Sequence, residues 1–217
     1  MGTISVHKLG GLSLVFGPIL AVVSFLIRPG GGLIGGRVDP ADPQAAIGVL
    51  IANANVAGFS FFLGPIALLV FLFGVRVLVE SLKGGNGEAL ARFGSLFLGF
   101  SVVAWLISSA CALTIAGGNA GPAAGAVYAV GTGINISGGI LASLAFLFIS
   151  LAISTRDDFN KVFALAVVAL SLVQAVLAIM SGRDISMLQT TNLVAGFIYT
   201  VTVVWSVTLG LGLMKKA

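Results

Sequence analysis

Six long apolar stretches run through this chain, and no Asp, Glu, Lys, Arg or His falls at membrane depth in any of them. A bilayer crossing needs about 20 predominantly apolar residues. An ionised side chain at its centre costs about 3 kcal/mol or more, so such charges are kept mainly where ion, proton or cofactor chemistry uses them. The pattern therefore predicts an all-α integral membrane protein of six transmembrane helices that lacks the usual markers of membrane catalysis and ion coupling.

Charged residues make up only 8% of the chain, against roughly 25% in soluble domains. With 217 residues and short polar breaks, there is room for one membrane domain, residues 1–217, and no separate soluble one. The formal charge is +4, but the basic residues are scattered singly through loops and form no patch for nucleic acid. The single Cys111 has no second cysteine to pair with. The first apolar run lacks an A-x-A cleavage site and reads as a retained span.

The spans are expected near residues 9–27, 56–79, 93–116, 126–153, 162–181 and 191–214. Lys8, Arg76, Lys83, Arg92, Arg156, Lys161, Lys215 and Lys216 fall on one side, and Arg28, Arg37 and Arg183 on the other. By the positive-inside rule this asymmetry predicts cytoplasmic N- and C-termini, Met1 and Ala217 included. The one long outer loop, 28–55, begins with glycine and proline and then turns helical. Asp42 followed by Pro43 is a good helix start, an N-cap and a proline at the first helical position. A helix running from there to Val79 would be about 55 Å long at 1.5 Å per residue, well over the bilayer core. A break is expected around Asn53, Asn55 and Gly58, leaving a short outer helix before span two that is either a lid or docking element or a cover for the bundle's end. At the other end of span two, Arg76 and Glu80 have the i, i+4 spacing of a salt bridge.

Membrane chemistry has few residues to use here. His7 is the only histidine and lies in the N-terminal tail, which leaves no bis-His haem site and no His-rich metal site within the spans. No mid-span Lys is present for a Schiff base, and Asp157 and Asp158 are adjacent in a loop. No catalytic residue, cofactor or metal ligand is expected. The intramembrane polar groups are all neutral, and such groups mostly bond between helices or back to the i−4 carbonyl. Asn135 and Gln174 are the deepest amides. Each needs several partners, so either one facing a cavity would be the best candidate for ligand contact.

Packing signals are stronger. Gly125, Ala129, Gly133 and Ser137 in span four form a small-xxx-small series that permits close helix approach, with Gly131, Asn135, Gly139 and Ser143 running beside it. Span six carries a shorter version in Thr202, Ser206 and Gly210. The series can serve packing of spans four and six against each other or a subunit interface. A four-residue echo, Phe16-Gly17-Pro18-Ile19 and Leu63-Gly64-Pro65-Ile66, places a proline inside each of the first two spans.

The chain resembles a bacterial family of uncharacterised six-span membrane proteins, a domain of unknown function. The likeness lies in Lys8-Leu9-Gly10-Gly11 leading into span one, the long first outer loop, the helix from Ala45-Ala46-Ile47 to Asn55, and the turn at 82–92 opening span three. The resemblance implies a six-helix fold and carries no activity or site residues. The function expected is a non-catalytic accessory or structural subunit in the cytoplasmic membrane of a bacterium or archaeon, with lipid and other membrane subunits or copies of itself as partners. Transport of a small neutral or apolar molecule is the alternative, and binding of lipid or pigment by Phe-rich surfaces such as Phe59, Phe61, Phe62, Phe71 and Phe73 a further one.

Overall fold

The structure is a computed structural model that describes residues 4–31 and 33–215; residues 1–3, Gly32, Lys216 and Ala217 lie outside the described residues. Its helices are α1 (Val6–Leu26), α2 (Pro43–Ala52), α3 (Ala54–Ser81), α4 (Glu88–Ala116), α5 (Ala124–Ser154), α6 (Lys161–Arg183) and α7 (Leu188–Met214). Six of these are long and apolar enough to cross a membrane, and α2 is the short one. The spans alternate in direction, so α1 begins and α7 ends at the same end of the bundle. That end is called proximal here, and the opposite one distal.

The start of α2 follows from its sequence. Asp42 accepts from the Gln44 and Ala45 amides at 3.1 Å each, and Pro43 occupies the first turn. The break before α3 falls at Asn53, whose backbone leaves the helical region and whose side-chain amide donates to the Val49 carbonyl. Asn55 and Gly58 continue the helix. α2 lies against α4 and α5 through the buried Ala46 and Leu50, and so covers the distal end of the bundle.

Two close-packed groups build the core. In the first, glycines bring α1 against α3 and α7. A Cβ at Gly17 would stand 2.7 Å from the Phe71 amide nitrogen, and one at Gly210 would stand 2.6 Å from the Gly11 carbonyl oxygen. Gly64 faces Ser24 in the same α1–α3 contact, so both glycines of the Gly-Pro echo serve one interface. The second group is α4 and α5, where a Cβ at Gly138 would meet the Trp105 indole and one at Gly94 the Ala145 carbonyl. Trp105 also packs edge-on against Tyr199, and Trp205 is buried in the core. Both tryptophans thus serve packing inside the protein.

Neutral hydroxyls fasten these contacts. Ser24 donates to the Ser60 carbonyl at 2.7 Å, Ser101 to Gly138 at 2.8 Å and Ser206 to Leu14 at 2.7 Å, each across two helices. Ser137, Ser143, Thr114, Thr200 and Thr202 return to the i−4 carbonyl of their own helix. Away from water an unpaired hydroxyl is costly, which explains why these side chains are so consistently bonded.

Two expectations need correction. Of the Thr202, Ser206 and Gly210 series of α7, Ser206 and Gly210 pack against α1 and not against α5. The Arg76–Glu80 salt bridge does not form: Glu80 lies 3.4 Å from Lys83 and 3.8 Å from Arg92, which also takes Glu88 at 2.8 Å. The turn after Ser81 brings α4 back over the end of α3, so Arg92 offers Glu80 a partner across helices.

Candidate ligand cavity at the distal end

The cavity is built from the loop between α1 and α2. After Leu26 the chain folds back on itself, with the Gly30 amide donating to the Ile34 carbonyl at 2.9 Å and the Val38 amide to Gly30 at 3.3 Å. This tight fold uses left-handed backbone at Gly30 (φ 83°), Gly35 (φ 72°) and Gly36 (φ 73°), a region open to glycine at little cost. Gly35 lies against Val49 and Asn53, so the loop is pressed onto α2. Tyr128 of α5 then ties the roof down by donating its hydroxyl to the Pro40 carbonyl at 2.9 Å.

Beneath this roof lies a cavity of about 190 Å³. Its polar lining comprises Arg28 from the loop, Ser108 from α4, Tyr128, Thr132 and Asn135 from α5, and Asn192 from α7. Ser108 is engaged with the Gly131 carbonyl at 3.0 Å. Asn135 and Asn192 make no side-chain hydrogen bond to another described residue. Of the two amides singled out from the sequence, Asn135 therefore lines a cavity. Gln174 does not: it is 4% exposed in α6, and its Oε1 has no hydrogen-bond partner there.

Arg28, which the sequence marks only as a topological charge, is the one charged side chain lining the cavity. Its guanidinium carbon sits 4.4 Å from the centre of the Phe61 ring and 5.5 Å from that of Phe25. The residue as a whole is half-buried, but its Nε is shut off from solvent and has no hydrogen-bond partner. Desolvation pushes its pKa down to about 10, which leaves it charged at neutral pH. None of the ion pairs among the described residues involves it. The Phe25 in the preceding turn was a visible local signal, whereas Phe61 comes from a different helix and could not be read as a neighbour.

The predicted small-residue face lies elsewhere. Gly125, Ala129, Gly133 and Ser137 are all exposed along α5, and no other described residue comes within 4 Å of a Cβ placed at Gly125 or Gly133. Of the parallel series, Gly131 packs on Cys111 and Asn135 reaches the cavity. A larger recess of about 430 Å³ runs between α4 and α5, lined by Leu96, Phe100, Val103, Ile107 and other apolar side chains. With no polar group among them, that recess has nothing to orient a ligand. Phe59, Phe62 and Phe73 face outward, while Phe61 and Phe71 are buried. Among the described residues no three His, Cys, Asp or Glu side chains converge as a metal site would require.

No family model matches this sequence, and neither the curated proteins nor the solved structures with which it was compared give a match.

Proposed function

We propose that this is a non-catalytic six-span protein of a bacterial or archaeal cytoplasmic membrane, with both termini in the cytoplasm, that works as an accessory or structural subunit through helix association. The carrying observation is the face of Gly125, Ala129, Gly133 and Ser137, which is exposed and has no partner helix among the described residues. Small residues at this spacing let a second backbone approach closely, and the gain in membranes comes from packing at that distance. Ser137 already donates to Gly133, so the face presents a smooth surface with its hydroxyl satisfied.

The test is gentle-detergent purification of the native protein followed by native mass spectrometry, repeated for Gly133→Leu. A co-purifying chain or second copy that is lost on substitution, with the thermal stability of the single chain unchanged, supports the reading. Unchanged assembly would show that this face looks onto lipid. A second reading, binding or passage of a small molecule, is favoured by the distal cavity with its unpaired Asn135 and Asn192 amides.

A further inference from the structure

The distal end holds as many carboxylates as arginines, yet none of these acids pairs with Arg28. Three carboxylates lie there, and each is engaged by donors close to it in sequence. Asp39 accepts from the Ala41 amide at 2.9 Å, Asp42 caps α2, and Asp184 accepts from Ser186 through both its amide and its hydroxyl. Arg28 is left facing the cavity with two aromatic rings and no anion. Cation–π contact supplies about 0.5–2 kcal/mol but offers no acceptor to an N–H group. A shielded guanidinium Nε is a strong donor, and leaving it unpaired costs more than leaving a neutral group unpaired.

We propose that this cavity binds the acidic group of a small ligand, a phosphate ester or a carboxylate, with Arg28 as its anchor. Arginine presents a planar fork of donors that matches the oxygens of either group, which a lysine ammonium does not. Asn135 and Asn192 stand ready as further donors on the cavity wall. Phe25 and Phe61 hold the guanidinium in place, so little side-chain entropy remains to be lost on binding. At about 190 Å³ the cavity is smaller than the roughly 300–1,000 Å³ that encloses drug-sized molecules. It therefore suits a headgroup or a small acid. The inference is independent of the association face on α5, which lies outside the cavity.

The same chemistry can come from an acidic lipid headgroup or from a soluble acid, and two arms separate them. In the first, the full-length protein is reconstituted in vesicles of equal parts phosphatidylglycerol and phosphatidylcholine, extracted gently, and its retained lipid counted by native mass spectrometry. In the second, inorganic phosphate and hexanoate are titrated while thermal unfolding is followed. Preferential retention of phosphatidylglycerol, reduced at least tenfold by Arg28→Gln and unaltered by Arg37→Gln at the neighbouring exposed cation, supports a lipid headgroup. Stabilisation by phosphate or hexanoate with the same dependence on Arg28 supports a soluble acid. Should Arg28→Gln fail to fold, Asn135→Leu keeps the charge, removes a cavity donor and is expected to weaken binding at least threefold. The proposal is overturned if neither arm detects binding, or if binding is indifferent to every cavity variant that folds.

Discussion

Ser206 donates its hydroxyl to the Leu14 carbonyl oxygen at 2.7 Å, and that carbonyl is the one Pro18 deprives of its helical donor. A proline inside a helix has no N–H for the i−4 acceptor. In α1 the acceptor is Leu14, which is 1% exposed, with Ser206 itself only 2% exposed. A residue of the last helix thus completes the hydrogen bonding of the first. Ser206→Ala should leave a buried carbonyl unsatisfied and cost about 1–3 kcal/mol. Pro18→Ala restores the missing donor, so the loss from Ser206→Ala should shrink in that background by about 1 kcal/mol. Unfolding of all four proteins in one detergent measures this coupling, and equal losses in both backgrounds would refute it.

The glycines divide into two groups with different expected costs. At Gly17 a Cβ would stand 2.7 Å from the Phe71 nitrogen and 2.8 Å from its Cα, positions that only backbone movement can relieve. Gly17→Ala should therefore destabilise the protein by about 1–3 kcal/mol, as overpacking generally does. Gly133→Ala meets nothing among the described residues. It replaces glycine by a better helix former, and the monomer should be unharmed or gain up to about 1 kcal/mol. Thermal unfolding of the two variants side by side decides the point, and a Gly133→Ala loss as large as that of Gly17→Ala would contradict the packing described here.

Local signals and long-range ones differed in how far they could be read. Hydropathy located the six long apolar helices because a segment that crosses hydrocarbon as a helix must be continuously apolar and satisfy its own backbone hydrogen bonds. Asp42 and Pro43 marked the start of α2 for an equally local reason, since capping involves only the first turn. Periodicity also showed that α5 has a small-residue face, yet could not say what lies opposite it. The pairing of α7 with α1, far apart in the chain, was invisible for the same reason. Arg28 looked like any loop cation until the fold placed Phe61 over it. Asn135 was recognised as a costly buried amide, but whether an amide meets a cavity, as Asn135 does, or packed helix, as Gln174 does, depends on neighbours that no spacing encodes.

Acid should loosen the connection between α6 and α7. Asp184 accepts from the Ser186 hydroxyl at 2.7 Å and from its amide at 3.0 Å, and these bonds hold its carboxyl below the ordinary value of 3.8. Because the folded value is lowered, the stabilisation is present above the unfolded pKa and is lost as pH falls through the folded one. The window therefore lies below about pH 4. Hydrogen exchange at the Ser186 amide, corrected for its intrinsic pH dependence, should lose protection across that window, and Asp184→Asn should abolish the pH response. Protection that stays flat in the native protein down to pH 2 would contradict the assignment.

Orientation is testable by labelling from one side. Seven basic residues among those described lie toward the proximal end and three toward the distal end, and the positive-inside rule counts Lys and Arg in short loops near the spans. The acids Glu80 and Glu88 sit beside Lys83 and Arg92 at the proximal end, but carboxylates contribute little to that rule, so the pairing does not weaken the bias. Two exposed reporters suit the experiment: Arg37 in the distal loop and Lys83, whose side chain is 66% exposed, in the proximal turn. The native Cys111 is half-buried in α4 and is first replaced by Ser to remove background. A membrane-impermeant maleimide added to intact cells should then label Arg37→Cys, while Lys83→Cys reacts only after the membrane is opened. The reverse pattern would place the Arg28 cavity on the cytoplasmic side, where the acidic headgroups of the inner leaflet and the soluble acids of the cytoplasm would be its available ligands.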